Sequence, residues 1–240
     1  MKEREKMKSV LIVDDEEHIV QMLDISMRNK GYRSICTYSG KEALEAVRTE
    51  APDLILLDVM MPKMDGTEVC RRLKEDPATW QIPVIMVSAK SELQDKIRGL
   101  ESGADDYITK PFNLQELFLR VHAALRQVEL LSWSQKTYYR LGSLELNTKK
   151  YLVTSDGKRI DLTLTEFRIL HLLLQQLRNV VSRDTMMMEI FGRGPDEIGR
   201  TLDVHVRNLR KKMDKALVEG CVIGTVRGAG YVISDELIGQ

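Results

Sequence analysis

Asp58 ends a nearly unbroken apolar run, Leu54-Ile55-Leu56-Leu57. A carboxylate at the end of a buried strand costs on the order of several kcal/mol unless something offsets its charge. Asp14 and Asp15 end a second apolar run, Val10-Leu11-Ile12-Val13, and Lys110 follows a third, short one around Tyr107-Ile108. Three acids and one lysine at strand ends describe a site for a divalent cation and a phosphoryl group. Phosphoryl transfer requires a nucleophile, neutralisation of charge on the phosphoryl oxygens, and positioning. A carboxylate can be that nucleophile, and the product is an acyl phosphate. Magnesium (or manganese) takes oxygen ligands, and magnesium retains several waters. Asp14, Asp15 and Asp58 offer carboxylates, and the Met60 carbonyl offers a further oxygen. Lys110 offers a point charge for a phosphoryl oxygen, and Ser88 a hydroxyl donor. Singly, each has a plainer role. Asp14, Asp15 or Glu16 caps the next helix, Lys110 is a solvated lysine, Tyr107 a half-buried aromatic and Ser88 a turn residue. Those separate roles leave unexplained why all of them fall at one edge of one sheet.

The elements that must position these residues alternate. Strands are expected at 10–13, 32–37, 54–57, 84–87 and around 107–108. Helices are expected at 16–28, 41–50, 66–74, 92–102 and 114–126, with Gly31 and Gly103 as stops. The first helix carries Ile19, Met22, Leu23 and Ser26 at helical spacing, and the fifth turns Leu117, Phe118, Val121 and Leu125 inward. Uniformly apolar strands mean a sheet covered on both faces. The expected fold is α/β, a doubly wound five-stranded parallel sheet, with ligands at the carboxyl ends of its strands.

The pattern changes after Arg126. Residues 127–137 read as a linker or as an extended end of the last helix. Short strands are expected at 139–141, 144–146, 151–154 and 159–162, with turns at Asn147 and Asp156-Gly157. Helices follow at 165–177, capped by Thr163 or Thr165, at 183–190 and at 200–217. The strands 222–226 and 231–233 flank Arg227-Gly228-Ala229-Gly230, a hairpin. This is the plan of an α+β winged helix-turn-helix domain. On the helix 200–217, Leu202, Val206, Leu209 and Met213 fall within ~60° of one another at ~100° per residue and form the buried stripe. Arg200, Val204, Arg207, Asn208 and Lys211 gather opposite. Arginine suits guanine in a major groove and asparagine suits adenine; an ordinary solvated face is the alternative.

Bulk composition fits this plan. The 240 residues are 43% hydrophobic and 30% charged, which is globular rather than disordered. Formal net charge is zero, yet residues 1–128 carry 19 basic against 22 acidic groups, and the rest 17 against 14. The +3 of the second half permits a polyanionic partner. Cys36, Cys70 and Cys221 lack any metal spacing and read as reduced core thiols of a cytoplasmic protein. No apolar run approaches the ~20 residues of a membrane span, and the mixed charges of residues 1–6 read as a solvated tail rather than a signal peptide. The run Met186-Met187-Met188 reads as core filler.

Two resemblances sharpen the reading. Residues 10–126 resemble a bacterial response-regulator receiver domain. The matches are Asp14-Asp15, Asp58 followed by Met61-Pro62 and Asp65-Gly66, Ser88-Ala89, Gly103-Ala104-Asp105-Asp106-Tyr107 and Lys110-Pro111-Phe112. The resemblance implies a flavodoxin-like strand order 2-1-3-4-5 and a phosphoryl group accepted by Asp58 from a sensor histidine kinase. It further implies magnesium held by Asp14, Asp15, Asp58 and the Met60 carbonyl, with Lys110, Ser88 and Ala89 at the phosphate and Ser88 and Tyr107 as switches. Tyr107 is expected to turn inward on phosphorylation, and Lys110-Pro111 to be cis. Dimerisation is implied through Lys96, Asp105, Asp106, Glu116 and Arg120 as intersubunit pairs; local surface ion pairs are the alternative.

Residues 138–234 resemble the effector domain of the OmpR/PhoB family, through Leu164-Thr165-Glu166-Phe167, Val181-Ser182-Arg183, Arg200-Thr201-Leu202-Asp203-Val204-His205-Val206, Leu209-Arg210-Lys211-Lys212 and Val226-Arg227-Gly228-Ala229-Gly230-Tyr231. It implies that Arg200, Thr201, His205, Arg207, Asn208, Arg210 and Lys211 approach the major groove or its phosphates, and that Arg227 enters the minor groove. Asn208 stands where many members carry arginine. The loop 192–199 lies where RNA polymerase contacts occur in the family. The expected domains are a receiver at 8–126, a linker at 127–137 and a winged helix at 138–236, working together as a phosphorylation-controlled transcription regulator. Two rival readings stand beside it. An aspartyl-phosphate phosphatase usually carries a second Asp two residues after the nucleophile, where this chain has Met60. An adaptor would bind protein instead of DNA.

Overall fold

The computed structural model describes residues 7–89, 93–132, 136–192 and 199–235, and of residues 93, 127–132, 199 and 200 the backbone alone. The chain divides into two compact units, Met1–Leu125 and Arg126–Gln240.

The first unit alternates strand and helix in the order β1 (Ser9–Val13), α1 (Glu17–Asn29), β2 (Arg33–Thr37), α2 (Gly40–Glu50), β3 (Leu54–Asp58), α3 (Gly66–Glu75), β4 (Val84–Ser88), α4 (Leu93–Glu101), β5 (Asp106–Thr109) and α5 (Leu114–Ser132). All strand pairs are parallel, and the sheet order is β2-β1-β3-β4-β5. β1, β3 and β4 are buried along their whole length, because helices cover both faces. On one face Val10, Ile12, Leu54, Leu56 and Ile85 pack with Val20, Leu23 and Met27 of α1 and Leu117, Val121 and Leu125 of α5. The inward stripe of α1 is thus Val20-Leu23-Met27 with Ile19 packed beside it; of the expected Ile19, Met22, Leu23 and Ser26, Met22 is exposed and Ser26 half-buried. The sheet order reverses at β1, which has β2 on one side and β3 on the other. A crevice opens there at the carboxyl ends, where Asp14 and Asp58 lie.

Local chemistry fixes the loops around that crevice. Asp65 caps α3 by accepting from the Glu68 amide at 2.8 Å. Gly66 lies so close to β3 that an added Cβ would sit 2.1 Å from the Asp58 carbonyl oxygen, so a glycine is required. The Lys110-Pro111 bond is cis, as expected.

The second unit opens with an antiparallel sheet, β6 (Tyr138–Leu141), β7 (Leu144–Asn147), β8 (Leu152–Ser155) and β9 (Lys158–Arg159). Then come α6 (Leu164–Gln175), β10 (Val181–Ser182), α7 (Arg183–Phe191), α8 (Gly199–Lys215), β11 (Val222–Val226) and β12 (Gly230–Ser234), the last strands ordered β10-β12-β11. β9 is shorter than the expected 159–162: the Ile160 amide still donates to the Val153 carbonyl of β8 at 2.9 Å, and the Ile160 and Leu162 side chains pack into the core. Thr163 and Glu166 form a reciprocal cap on α6. Phe167, Leu170 and Leu173 of that helix meet Leu202, Val206 and Leu209 of α8 in one cluster. Residues 127–132, read as linker or helix, continue α5. Met186 and Met187 are core, whereas Met188 is exposed. Cys36 is half-buried, Cys70 and Cys221 are buried, and all three thiols are free; burial pushes Cys70 to about 11 and Cys221 to about 12.

Candidate functional site

Asp14, just past β1, Asp15 beside it, and Asp58 at the end of β3 bring carboxylate oxygens within 4.8 Å of one another. Asp14 and Asp58 are 2% and 3% exposed, while Asp15 faces solvent. From the end of β5, Lys110 places its Nζ 2.7 Å from Asp14 Oδ2 and 3.0 Å from Asp58 Oδ1. A third acid, Glu16, lies 3.3 Å from the same ammonium. Burial lowers the affinity of Lys110 for its proton, but the Asp14 and Asp58 carboxylates outweigh burial and hold it above the usual lysine range. Burial pushes the Asp58 carboxyl up; Lys110 opposes this, and the charge of Asp14 adds to it. The second oxygen of Asp58 accepts from the Met60 amide. One ammonium thus faces two buried carboxylates and Glu16, with the Asp15 carboxylate beside them. The excess negative charge and all-oxygen donor set fit a hard divalent cation. Asp15 and Met60 also line an open cleft with Met61, Pro62 and Asp65.

Ser88 and Tyr107 are both fully buried. Ser88 hydrogen-bonds the Tyr107 side chain, whose hydroxyl burial pushes up. Tyr107 thus lies inside the first unit. Ala89, next to Ser88, is exposed, and the Ser88 carbonyl accepts from the Lys110 amide at 2.7 Å.

The five residues expected as intersubunit pairs are not a set of accessible charges. Asp105 is buried and pairs with Lys74 at 2.7 Å, while the Lys74 ammonium also donates to the carbonyls of Trp80 and Ile82. Arg120 has a side chain 1% exposed; it donates to Asp106 at 2.8 Å and also pairs with Glu116. The reason is local. α5 follows β5, so Arg120, one turn beyond Glu116, reaches back to Asp106. Lys96 is half-buried and Glu116 partly exposed.

On α8, Leu202, Val206, Leu209 and Met213 are buried as expected. Three other expectations are corrected. Val204 is 6% exposed, and Thr201 and His205 are each 1% exposed, so their side chains are not on the solvent face. α8 packs against both α6 and α7, and the His205 ring lies 5.9 Å from that of Phe191. The buried sector is consequently wider than one stripe. Arg207 and Lys211 are exposed, and Asn208 is half-buried. The side chain of Arg200 lies outside the described residues, as do residues 193–198 of the expected polymerase loop. Arg210 is turned to the hairpin: its Nε donates to the Ile223 carbonyl at 2.9 Å and its Nη2 to Thr225 Oγ1 at 2.8 Å. Arg227 sits exposed at the tip between β11 and β12, beside Gly228 with φ +74°. Sequence reasoning gave Glu16 only the role of a helix cap, the position it holds on α1, and gave none to Lys74, Arg183 or Asp203. The run Asp14-Asp15-Glu16-Glu17 carried a signal for the first; the others needed the fold.

Comparison with known proteins agrees with this geometry. Residues 10–122 match the response regulator receiver domain, and residues 157–233 match the C-terminal domain of transcriptional regulatory proteins. The response regulator ArlR of Staphylococcus saprophyticus is 36% identical over 227 residues, covering 95% of this chain and 99% of the relative. The DNA-binding dual master transcriptional regulator RpaA of Synechocystis is 39% identical over 235 residues, 95% of each chain. Among solved structures, response regulator DrrB of Thermotoga maritima, an OmpR/PhoB homolog, has 29% identity and a TM-score of 0.51, over 95% of this chain and 100% of that one.

Proposed function

Because this chain belongs to the OmpR/PhoB-type response regulators, the DNA-binding transcription regulators of two-component systems, we propose that Asp58 is its phosphoacceptor. The single observation that carries this is the convergence of Asp14, Asp15, Asp58 and Lys110 at one sheet edge. A phosphohistidine of a sensor histidine kinase is the donor. An Asp58 carboxylate oxygen attacks phosphorus, a P–O bond forms, and the P–N bond breaks with its electron pair passing to an imidazole already protonated on its other nitrogen, which leaves neutral. Lys110 lies within reach of both Asp14 and Asp58 and holds positive charge beside the phosphoryl oxygens. Asp14, Asp15, Asp58 and the Met60 carbonyl would hold magnesium, which when bound neutralises charge on the transferring group. Ser88 and the Ala89 backbone complete the phosphate side, and Ser88 with Tyr107 forms the switch. The protein's own chemistry is limited to this phosphorylation and a slow hydrolysis of the acyl phosphate.

Phosphorylation adds about two negative charges to this pocket and shifts the population toward a homodimer. Lys96 and Glu116 are the accessible charges of the expected dimer face. Arg207, Asn208 and Lys211 of α8 then meet the major groove, with Arg200 at its start, and Arg227 meets the minor groove. Two copies would reach half-sites about one DNA turn apart. The setting is the cytoplasm; among the described residues no helix is long and apolar enough to cross a membrane.

The test is labelling by acetyl phosphate with magnesium. Wild type takes up one phosphoryl group, and Asp58→Asn takes up none. Undiminished labelling of Asp58→Asn would remove Asp58 from the role.

A further inference from the structure

Four elements of the second unit meet in a polar cluster that the DNA contacts do not use. Arg183, the first residue of α7, pairs with Asp203 on the first turns of α8. The Tyr231 hydroxyl, from β12, donates to the same Asp203 oxygen. Arg183 Nη1 donates to that hydroxyl at 3.2 Å. Arg183 and Arg210 lie 5.6 and 5.7 Å from the centre of the Tyr231 ring. Arg210 then continues to β11, through the Ile223 carbonyl and Thr225 Oγ1. Asp203 and Arg210 are seven residues apart, so they share one face of α8 about 10 Å apart along its axis. They therefore tie α8 to the hairpin at two levels, and Tyr231, 4% exposed, fills the space between.

We propose that Asp203, Tyr231 and Arg210 are positioning residues for DNA binding: they fix the hairpin tip bearing Arg227 relative to α8, so that both engage one stretch of duplex. The proposal rests on the reading of α8 and the hairpin as the DNA face, and it reassigns Arg210 from DNA contact to brace. Asp203 supplies a test whose sign decides. A carboxylate near the phosphates repels them. If it did nothing else, Asp203→Asn would bind DNA more tightly. If it positions the hairpin, the same change weakens binding although a negative charge has gone. Each pairwise contact is partly solvated, since Arg183 and Asp203 have side chains 37% and 45% exposed. The expected effect is therefore geometric more than a loss of fold stability.

The experiment uses the full chain and a fluorescent duplex recovered by wild type from a random-sequence pool. Dissociation constants are measured by anisotropy for wild type, Asp203→Asn, Arg210→Met and Arg227→Ala, and for Arg227→Ala combined with each of the other two. Circular dichroism melting verifies folding, and Tyr231→Phe replaces any variant that fails to fold. The expected result is binding about three- to tenfold weaker for Asp203→Asn and Arg210→Met, with the Arg227→Ala factor falling toward one in either background. A purely structural role would leave the Arg227→Ala factor unchanged among folded molecules. Tighter or unchanged binding by Asp203→Asn, or multiplicative effects in both double variants, would overturn the proposal. Loss of all binding by Arg227→Ala together with Arg207→Ala, but by neither alone, would uphold the DNA face itself whichever way the positioning test falls.

Discussion

Asp58 and Arg207 both carry charge at a place where a ligand is expected, yet they sit in opposite environments. Asp58 is 3% exposed, with an ammonium 3.0 Å away and a second carboxylate crowding it. Arg207 stands on the solvent face of α8. In the amino-terminal unit Asp14 and Asp58 are desolvated before any ligand arrives, so a change of one charge there alters a balance already held in low dielectric. In the carboxy-terminal unit Arg207 stays hydrated, and DNA gains from releasing counterions rather than from a preformed low-dielectric trap. Sensitivity is therefore distributed unequally: the first region responds in an all-or-none way to single atoms, the second in graded steps.

That contrast can be broken at several points. The largest effect is expected at Asp58, where replacement by Asn removes the only proposed acceptor and phosphoryl uptake falls to background. Next is Lys74, whose ammonium is the buried partner of Asp105. Lys74→Met removes the cation beside the buried Asp105 carboxylate, which keeps the Val84 amide as a donor at 2.9 Å, and chemical denaturation should show a loss of about 3 kcal/mol. Arg178→Ala in the second unit breaks an exposed pair with Asp235 and should cost under about 1 kcal/mol; equal losses would erase the distinction between the regions. Arg207→Ala should weaken DNA binding about tenfold and lower the dependence on log salt by about one, leaving phosphoryl uptake intact.

The smallest effect has an instructive sign. Burial raises the Asp58 carboxyl above its ordinary value, so the folded chain holds that proton more tightly than the unfolded chain does. Its contribution to stability is fully present below the ordinary carboxylate range and is lost as pH rises through the raised value. Asp58→Asn should therefore be more stable than wild type at neutral pH, by about 1 kcal/mol, and the gap should close in acid. Thermal melts of both proteins across pH check this; a variant less stable at neutral pH would mean that the Lys110 pairing outweighs burial.

The phosphoryl pocket was legible in the chain because apolar runs end at their acids. Leu54-Ile55-Leu56-Leu57-Asp58 announces both a strand and its exit, and the run at Val10–Val13 does the same for Asp14. The sheet then had few ways to bring them together. Surface chemistry was harder to read. Periodicity on α8 finds one buried stripe, but the helix has two helical neighbours, and so Thr201, Val204 and His205 went inside. Arg120 and Asp106 read as partners of a second subunit, with local ion pairing as the alternative; the local pair is the one that forms, and it is buried, because α5 reaches back to β5. The brace at Asp203 joins residues up to 48 apart in sequence, a separation that no local pattern carries.

The most direct test of the account couples the two regions. DNA affinity of the full chain is measured with and without acetyl phosphate and magnesium, for wild type and Asp58→Asn. The account predicts that treatment tightens wild-type binding and leaves Asp58→Asn unchanged; an equal gain in both, or none in a fully phosphorylated wild type, would contradict it.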